Sequence, residues 1–178
     1  MTDPTRDMAL GTFTPFLRTL SDLLDKGDAH MRAKGSDFAE LAAARLAPDM
    51  LTLAQQVQFA CDLAVDGVAL LTGQASPPVA ESDPTLTGLK GRIARAVSVL
   101  DETPAEAFEG AQDRVVVKPL QADLVLEMKG QQLLRDWSLP NFYFHLVTAY
   151  DILRHNGVEI GKRDYMIHIG PWIRQTGG

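Results

Sequence analysis

Hydrophobic and polar positions alternate along most of this chain at the spacing of a helix. In the first third, apolar residues recur every three or four positions and would line one helical face: Phe13, Phe16, Leu17, Leu20, Leu23 and Leu24. This predicted helix 1 ends near Gly35. Its start stays open, because Pro15 can follow a Thr14 cap or can lie inside a helix that already began at Pro4.

The stretch SDFAELAAARLAPDM predicts a short helix that stops before Pro48, since a proline disfavours helical conformation in the preceding residue. Predicted helix 2 starts after this proline, with Asp49 accepting hydrogen bonds from its first amides. Its main apolar stripe is Met50, Leu53, Val57, Cys61, Ala64, Val68 and Leu71, and Phe59, Leu63 and Leu70 form a second stripe on nearly the opposite side. Two apolar faces predict a helix that is central or pressed against another subunit.

The connector QASPPVAESD, long enough to cross over the end of a bundle, precedes predicted helix 3. Asp83 is read as a cap and Pro84 as the first helical residue. The inner stripe of this helix is Leu86, Leu89, Ile93, Val97 and Leu100, which places Arg92 and Arg95 outside.

Two short β-branched or aliphatic runs, RVVVK and DLVLEM, follow and are separated by PLQA. Each is flanked by turn residues, so the pair predicts a β-hairpin, which should pack on the helices because a bare hairpin is marginal in water. Residues 140–157, PNFYFHLVTAYDILRHNG, predict helix 4, which Gly157 ends. The tail beyond is expected to be extended over the bundle.

Predicted helix 4 holds a histidine inside an aromatic and aliphatic run. At 100° per residue, His145 lies about 60° from Phe142 and flanks the main buried stripe. A metal site in a bundle generally needs a second ligand one turn away, but those positions are Thr148 and Ala149. We favour a neutral, hydrogen-bonded His145 and keep a metal ligand or an acid–base group as the alternative.

Several other polar residues are candidate contacts for a molecule bound in a cleft between predicted helices 2 and 4. Gln58 and Asp62 belong to a polar strip on helix 2, and Asp62 could meet His145 across the groove. Tyr150 on helix 4 and Asp49 at the start of helix 2 complete the set. His145 is the best candidate for a catalytic residue, and no stronger one is visible.

Composition and charge narrow the classes of partner. A length of 178 residues suits one domain over residues 1–178. A net charge of -6 with scattered basic residues disfavours nucleic acid. No apolar run approaches the roughly 20 residues that span a bilayer, and the N-terminus has no signal-peptide pattern, so we expect a cytoplasmic protein without membrane contact. The single cysteine, Cys61, excludes an internal disulfide and a multi-cysteine zinc site.

The segments ARLAPDM…Q…CDLA and PNFYFHLVTAYDILRHNGVEIGKRDY resemble a bacterial family known only as domain of unknown function number nineteen ninety-three, within the DinB-like superfamily. The resemblance covers nearly the whole chain. It implies an all-α fold, a DinB-like up-up-down-down four-helix bundle that is often dimeric, here with the small β-hairpin between helices 3 and 4. The long connector and the doubly apolar helix 2 agree with it.

Better-known relatives in that superfamily bind a divalent metal through three histidines, one on helix 2 and two spaced four apart on a later helix, and some use a low-molecular-weight thiol. Only His145 matches one of that pair, since residue 149 is alanine and helix 2 has no histidine. The resemblance therefore implies a degenerate metal site, where a divalent metal would need carboxylate help such as Asp62.

The favoured hypothesis is a non-catalytic homodimer, joined through the apolar faces of helices 2 and 4, that binds a small molecule or a partner and needs no cofactor. The alternative is a divergent metal- or thiol-dependent transferase or isomerase that uses His145.

Overall fold

The computed structural model describes residues 3–78, 83–121, 123–174 and 176. Residues 79–82 of the predicted connector and residue 122 of the predicted hairpin turn lie outside this part. The elements are α1 (Pro4–Ala33), α2 (Phe38–Ala43), α3 (Leu53–Thr72), α4 (Leu86–Glu102), β1 (Val115–Pro119), β2 (Val125–Lys129), α5 (Gly130–Gln132), α6 (Leu139–His155) and α7 (Lys162–Tyr165). Short 3-10 turns cover Ala105–Phe108 and Ile167–Trp172, and a π-helical segment, Leu133–Ser138, joins α5 to α6.

The start of α1 lies at the earlier of the two predicted positions. The Asp3 carboxylate accepts hydrogen bonds from the amides of Thr5 (2.8 Å) and Arg6 (3.1 Å). Pro4 follows as the first helical residue, where its missing N–H leaves no hydrogen bond unmade. Pro15 therefore lies inside the helix.

The N-cap of α3 is Thr52, whereas Asp49 was predicted. Thr52 Oγ1 accepts a hydrogen bond from the Gln55 amide (3.3 Å), and Gln55 Oε1 accepts one from the Thr52 amide (2.9 Å), which is a reciprocal capping box. Asp49 is exposed in the turn before the helix and does not cap it. The proline at position 48 had suggested an earlier start than the Thr-x-x-Gln pattern specifies.

The last long helix begins ten residues earlier than predicted. Helical residues run without a break from Gly130 to His155, through the π-helical segment. Pro140 has no amide proton and crowds the preceding turn, and this wider segment accommodates it. The Asn141 side-chain amide donates to the Trp137 carbonyl oxygen at 2.7 Å. Proline therefore modifies this helix instead of starting it.

The predicted β-hairpin is confirmed. β1 and β2 pair antiparallel, with Val116 opposite Met128, and both side chains pack on the helices. The amide of Gly130, just after β2, donates to the Arg114 carbonyl oxygen at 2.9 Å. A Cβ at Gly130 would overlap the carbonyl oxygen of Ala111, so only glycine fits where the chain enters α5.

Ion pairs and shared contacts show how the first three long helices run. Arg18 pairs with Asp101 and Asp25 pairs with Lys90, so α1 and α4 are antiparallel. α3 and α4 run in the same direction, because Asp62 pairs with Arg92 and the two N-caps, Thr52 and Thr85, line one cavity. α4 thus begins at the opposite end of the helices from the point where α3 ends.

α6 runs in the same direction as α1. The Phe13 and Phe142 rings pack edge to face with centroids 5.0 Å apart, and the Leu153 side chain lies beside Gly27. With α1 taken as up, these pairs describe the order up, down, down, up, which differs from the predicted up-up-down-down order. Among the four long helices of the described residues, α3 and α4 are consecutive and parallel, whereas the chain reverses direction between α1 and α3 and again between α4 and α6.

The tail is helical where an extended segment was expected. Asp164 accepts a hydrogen bond from the Gly161 amide (2.7 Å), which starts α7, and pairs with Lys26 of α1 (2.5 Å). The rings of Tyr165 and His168 pack on Phe16, with centroids 5.2 Å and 4.3 Å away. Within the described ranges, no helix is both long and apolar enough to cross a membrane.

Candidate functional site

α3 is the helix around which the candidate site is built, because it packs against both α6 and α4. Toward α6 the packing is close. Toward α4 the two helices leave a cavity. The predicted cleft lay on the α6 side, so the structure separates the predicted histidine from the open space.

His145 is hydrogen-bonded to a buried glutamine. Its Nδ1 lies 2.7 Å from Gln56 Oε1, and Gln56 is only 1% exposed. The Gln56 amide nitrogen donates to the Leu51 carbonyl oxygen at 3.4 Å, which turns Oε1 toward the ring and makes Nδ1 the donor. Burial lowers the pKa of His145 and favours its neutral form. His145 is therefore a hydrogen-bonded residue, as we favoured from the sequence.

Gln56 is the important residue that sequence reasoning missed. It stands among three glutamines, Gln55, Gln56 and Gln58, whose side chains look interchangeable in the sequence. A weak signal was available: residues 56, 60, 64 and 67 recur at helical spacing, and the last three are alanine, alanine and glycine. A polar residue that continues such a small-residue face must find its partner on the neighbouring helix.

Two phenylalanine rings flank His145. Phe59 stacks on the imidazole with centroids 5.1 Å apart and an interplanar angle of 18°, and Phe144 meets it edge-on at 5.3 Å. Phe59 is 43% exposed and Phe144 is 60% exposed. We call these three side chains the aromatic patch. Phe59 also lines the cavity between α3 and α4.

The α3–α4 cavity has a volume of about 530 Å³ and is bordered by residues 76–78 of the connector. Most of its wall is apolar, and the larger contributors on the two helices are Phe59, Leu63, Val65, Ala96 and Val99. Its polar side chains include two aspartates of α3 and two arginines of α4.

The first aspartate, Asp62, forms an ion pair that spans the two helices. Its Oδ1 lies 2.7 Å from Arg92 Nη1, and Arg92 is only 7% exposed although the helical pattern placed it outside. The carboxylate on α3 gives this arginine a partner, which the stripe of α4 alone could not reveal. Burial raises the pKa of Asp62, while Arg92 and a hydrogen bond from Gln58 act in the opposite direction.

The second aspartate, Asp66, joins three parts of the chain. It accepts a hydrogen bond from Ser76 of the connector (2.7 Å) and pairs with Lys118 of β1 (2.7 Å). These contacts hold the connector and the hairpin beside the cavity.

The remaining predicted contact residues do not meet in one cleft. Asp62 pairs with Arg92 while His145 bonds Gln56, so the expected meeting of Asp62 and His145 does not occur in the structure. Tyr150 packs on Tyr165 of the tail, with ring centroids 5.9 Å apart. Of the predicted contact residues, only Asp62 lines the cavity, with Gln58 hydrogen-bonded to it.

A protein-family model described as "Domain of unknown function (DUF1993)" matches residues 6–166 of the chain. The chain belongs to the DUF1993 family. The crystal structure of a DinB family member from Shewanella denitrificans is similar to it, with 38% sequence identity over 90% of each chain and a TM-score of 0.83. The predicted relationship of this DUF1993 chain to DinB proteins is thus confirmed. No curated protein matches the chain.

The residues of this DUF1993 chain do not fit the three-histidine metal site implied by the resemblance. Ala149, one turn after His145, is fully buried, and α3 contains no histidine. Residues 3–78, 83–121, 123–174 and 176 contain no group of three or more His, Cys, Asp or Glu side chains that could hold a metal ion.

Cys61 is poorly suited to be a nucleophile. Burial, and to a lesser extent the charge of Asp62, raises the pKa of its thiol to about 12. The side chain is 1% exposed, so both its protonation and its access oppose thiolate chemistry in the native protein.

Proposed function

We propose that this DUF1993 protein is a non-catalytic binding protein that takes a small, largely apolar molecule into the α3–α4 cavity. The observation that carries the proposal is the cavity itself. Its volume of about 530 Å³ lies within the range of small-molecule sites, about 300–1,000 Å³. An apolar wall with few polar side chains is the usual composition of such sites.

The polar side chains of the cavity support a preformed site. Asp62 is already paired with Arg92, and Asp66 with Lys118 and Ser76. These contacts connect α3 to α4, to the hairpin and to the connector, so the walls keep their positions without a ligand. A preformed site reduces the ordering cost of binding.

The alternative hypothesis, a transferase or isomerase that uses His145, has no comparable support. His145 bonds Gln56 on the α6 side of α3, and the Phe59 ring stacks on it. Its lowered pKa favours the neutral form. We assign it a structural role that orients Phe59, which lines the cavity.

We also propose that the protein is a cytoplasmic homodimer of single-domain chains that associate through α3 and α6. The aromatic patch supports this proposal, because large aromatic side chains exposed on adjacent helices are typical of interface cores. Val147 on α6 is a further exposed apolar residue, with 39% exposure.

Ligand binding is tested by thermal unfolding with a set of small apolar molecules. A ligand at about a hundred times its dissociation constant should raise the free energy of unfolding by about 2.7 kcal/mol. Val99→Trp, which fills the cavity, should abolish the effect. Ala94→Trp, on an exposed position of α4 outside the cavity, should leave it unchanged. Equal binding to both variants, or no ligand at all, would reject the proposal.

Association is tested by light scattering after size-exclusion chromatography. Phe59→Glu and Phe144→Glu should each produce monomers. Val117→Glu, at a hairpin residue that is 53% exposed, is the matched control and should remain dimeric. A monomeric wild-type protein at micromolar concentration would contradict the proposed dimer.

A further inference from the structure

We infer that the ligand of the α3–α4 cavity is an organic acid with one carboxylate and an apolar body, and that Arg95 binds the carboxylate. This inference rests on the proposed binding function.

Three of the four charged side chains that line the cavity, Asp62, Asp66 and Arg92, already have ion-pair partners among the described residues. Asp62 is neutralised by Arg92 at 2.7 Å, and Asp66 by Lys118 at 2.7 Å. Arg95 is the remaining charged side chain of the lining, and it has no hydrogen bond or ion pair within the part of the chain that the structure describes. A ligand group with a single negative charge therefore complements Arg95, and a carboxylate suits this position better than a doubly charged phosphate monoester.

The position of Arg95 suits an amphipathic ligand. Arg95 is exposed, whereas Ala96, the next residue, is buried, and Val99 lies one helical turn further along; all three line the cavity. An apolar body can pack on Ala96, Val99 and Phe59 while its acidic end stays near water at the guanidinium. The planar guanidinium presents paired N–H donors that match a carboxylate.

A cationic ligand is not favoured by the same wall. Both carboxylates of the lining already accept charged hydrogen bonds. A cation would have to displace Arg92 or Lys118 and would also be repelled by Arg95. The geometry therefore selects for the sign of the ligand charge as well as for an apolar body.

The experiment compares acids with their neutral isosteres by isothermal titration calorimetry. Octanoate, decanoate and 2-naphthoate are titrated beside the corresponding primary amides. We expect each bound acid to bind about five- to tenfold more tightly than its amide, as for a charge-assisted pair at a partly exposed site. Higher salt should weaken only the acid.

Two variants test whether Arg95 is the residue that binds the carboxylate of the ligand. Arg95→Gln should remove the preference for the acid by weakening the acid and leaving the amide unchanged. Arg154→Gln makes the same charge change on an exposed residue of α6 outside the cavity and should preserve the preference.

The outcomes separate this inference from the proposed function. Equal affinities of acid and amide for the wild type, or a preference for the acid that survives in Arg95→Gln, would overturn the inference while binding itself stands. If neither acids nor amides bind, the proposed function fails together with the inference. Binding of acids that Val99→Trp does not affect would place them outside the cavity and would also overturn it.

Discussion

The two sides of α3 differ in the size and charge of their side chains, and this difference decides where the protein is open. Toward α6, Ala60, Ala64 and Gly67 are small, and a Cβ at Gly67 would lie only 3.2 Å from Ser138 Oγ. On the cavity side, Asp62 pairs with Arg92 of α4 and Asp66 pairs with Lys118 of β1, each at 2.7 Å. Small residues let two helices approach closely. Pairs formed by longer charged side chains hold the neighbouring elements further apart and leave space between them.

The polar side chains on the two sides of α3 also differ in their surroundings. On the α6 side, the hydrogen bond from His145 to Gln56 satisfies the oxygen of a buried amide within a close-packed region. On the cavity side, the Asp62–Arg92 and Asp66–Lys118 pairs border the cavity; Arg92 is buried, and the other three side chains are partly exposed. Stability should therefore depend chiefly on the α6 side, and ligand binding on the α4 side.

The largest expected difference compares the same substitution in a filled region and at the cavity. Phe142 is fully buried against Phe13, so Phe142→Ala should lower the free energy of unfolding by about 3–5 kcal/mol. Phe59 is 43% exposed in the single chain, and in the background of the Phe144→Glu variant, which is expected to be monomeric, Phe59→Ala should cost about 1 kcal/mol or less. Urea unfolding followed by circular dichroism measures both. Equal costs would show that the two regions are packed alike.

The next prediction compares two glutamines of the same helix. Gln56→Leu leaves the Nδ1 proton of His145 without its acceptor and should cost about 1–3 kcal/mol. Gln58→Leu should cost less, because Gln58 is only half-buried. In chemical denaturation, the double variant Gln56→Leu, His145→Leu should be more stable than the sum of the two single costs predicts. Additive costs would argue against coupling between these side chains.

A smaller effect is expected for the ion pairs of the cavity side. Asp62→Asn removes the carboxylate that pairs with the buried Arg92 and should cost about 1–2 kcal/mol. Asp66→Asn alters a pair whose two side chains are each 26% exposed and should cost about 0.5–1 kcal/mol. Chemical denaturation at pH 7 measures both costs. A larger cost for Asp66→Asn would contradict the prediction that the Asp62–Arg92 pair contributes more to stability than the Asp66–Lys118 pair.

The smallest effect concerns pH. The pKa of His145 is lowered by burial, so the folded protein prefers the neutral ring. The resulting contribution to stability is complete above the unfolded pKa of about 6.5 and is lost as the pH falls from there through the lower folded-state pKa. Between pH 7 and pH 5, His145→Gln should therefore lose less stability than the wild type.

His155→Gln, at an exposed residue of the same helix, is the control. Its free energy of unfolding should change with pH as that of the wild type does. A slope that is unchanged in His145→Gln would mean that other groups cause the pH dependence.

Local patterns predicted the elements well where a single segment carries its own signal. The apolar spacing from Phe13 to Leu24 specified α1, and two short β-branched runs specified the hairpin. The patterns failed where prolines were read as boundaries. Pro140 lies inside a continuous helix, and Pro48 precedes α3 by several residues, because a wider turn and a separate capping box decide those positions.

The sequence by itself determined the helical character of the chain, its hairpin and the absence of a second histidine one turn after His145, because each of these depends on residues close together in the chain. It also determined the family, because the segments that carry the resemblance are compared residue by residue without regard to their positions in space. Only the tertiary structure decided the partners of the key side chains. Gln56 and His145 are 89 positions apart, and Asp62 and Arg92 are 30 apart. Such pairs depend on which helices are neighbours and on the direction in which each helix runs. The apolar spacing within one helix carries no information about either.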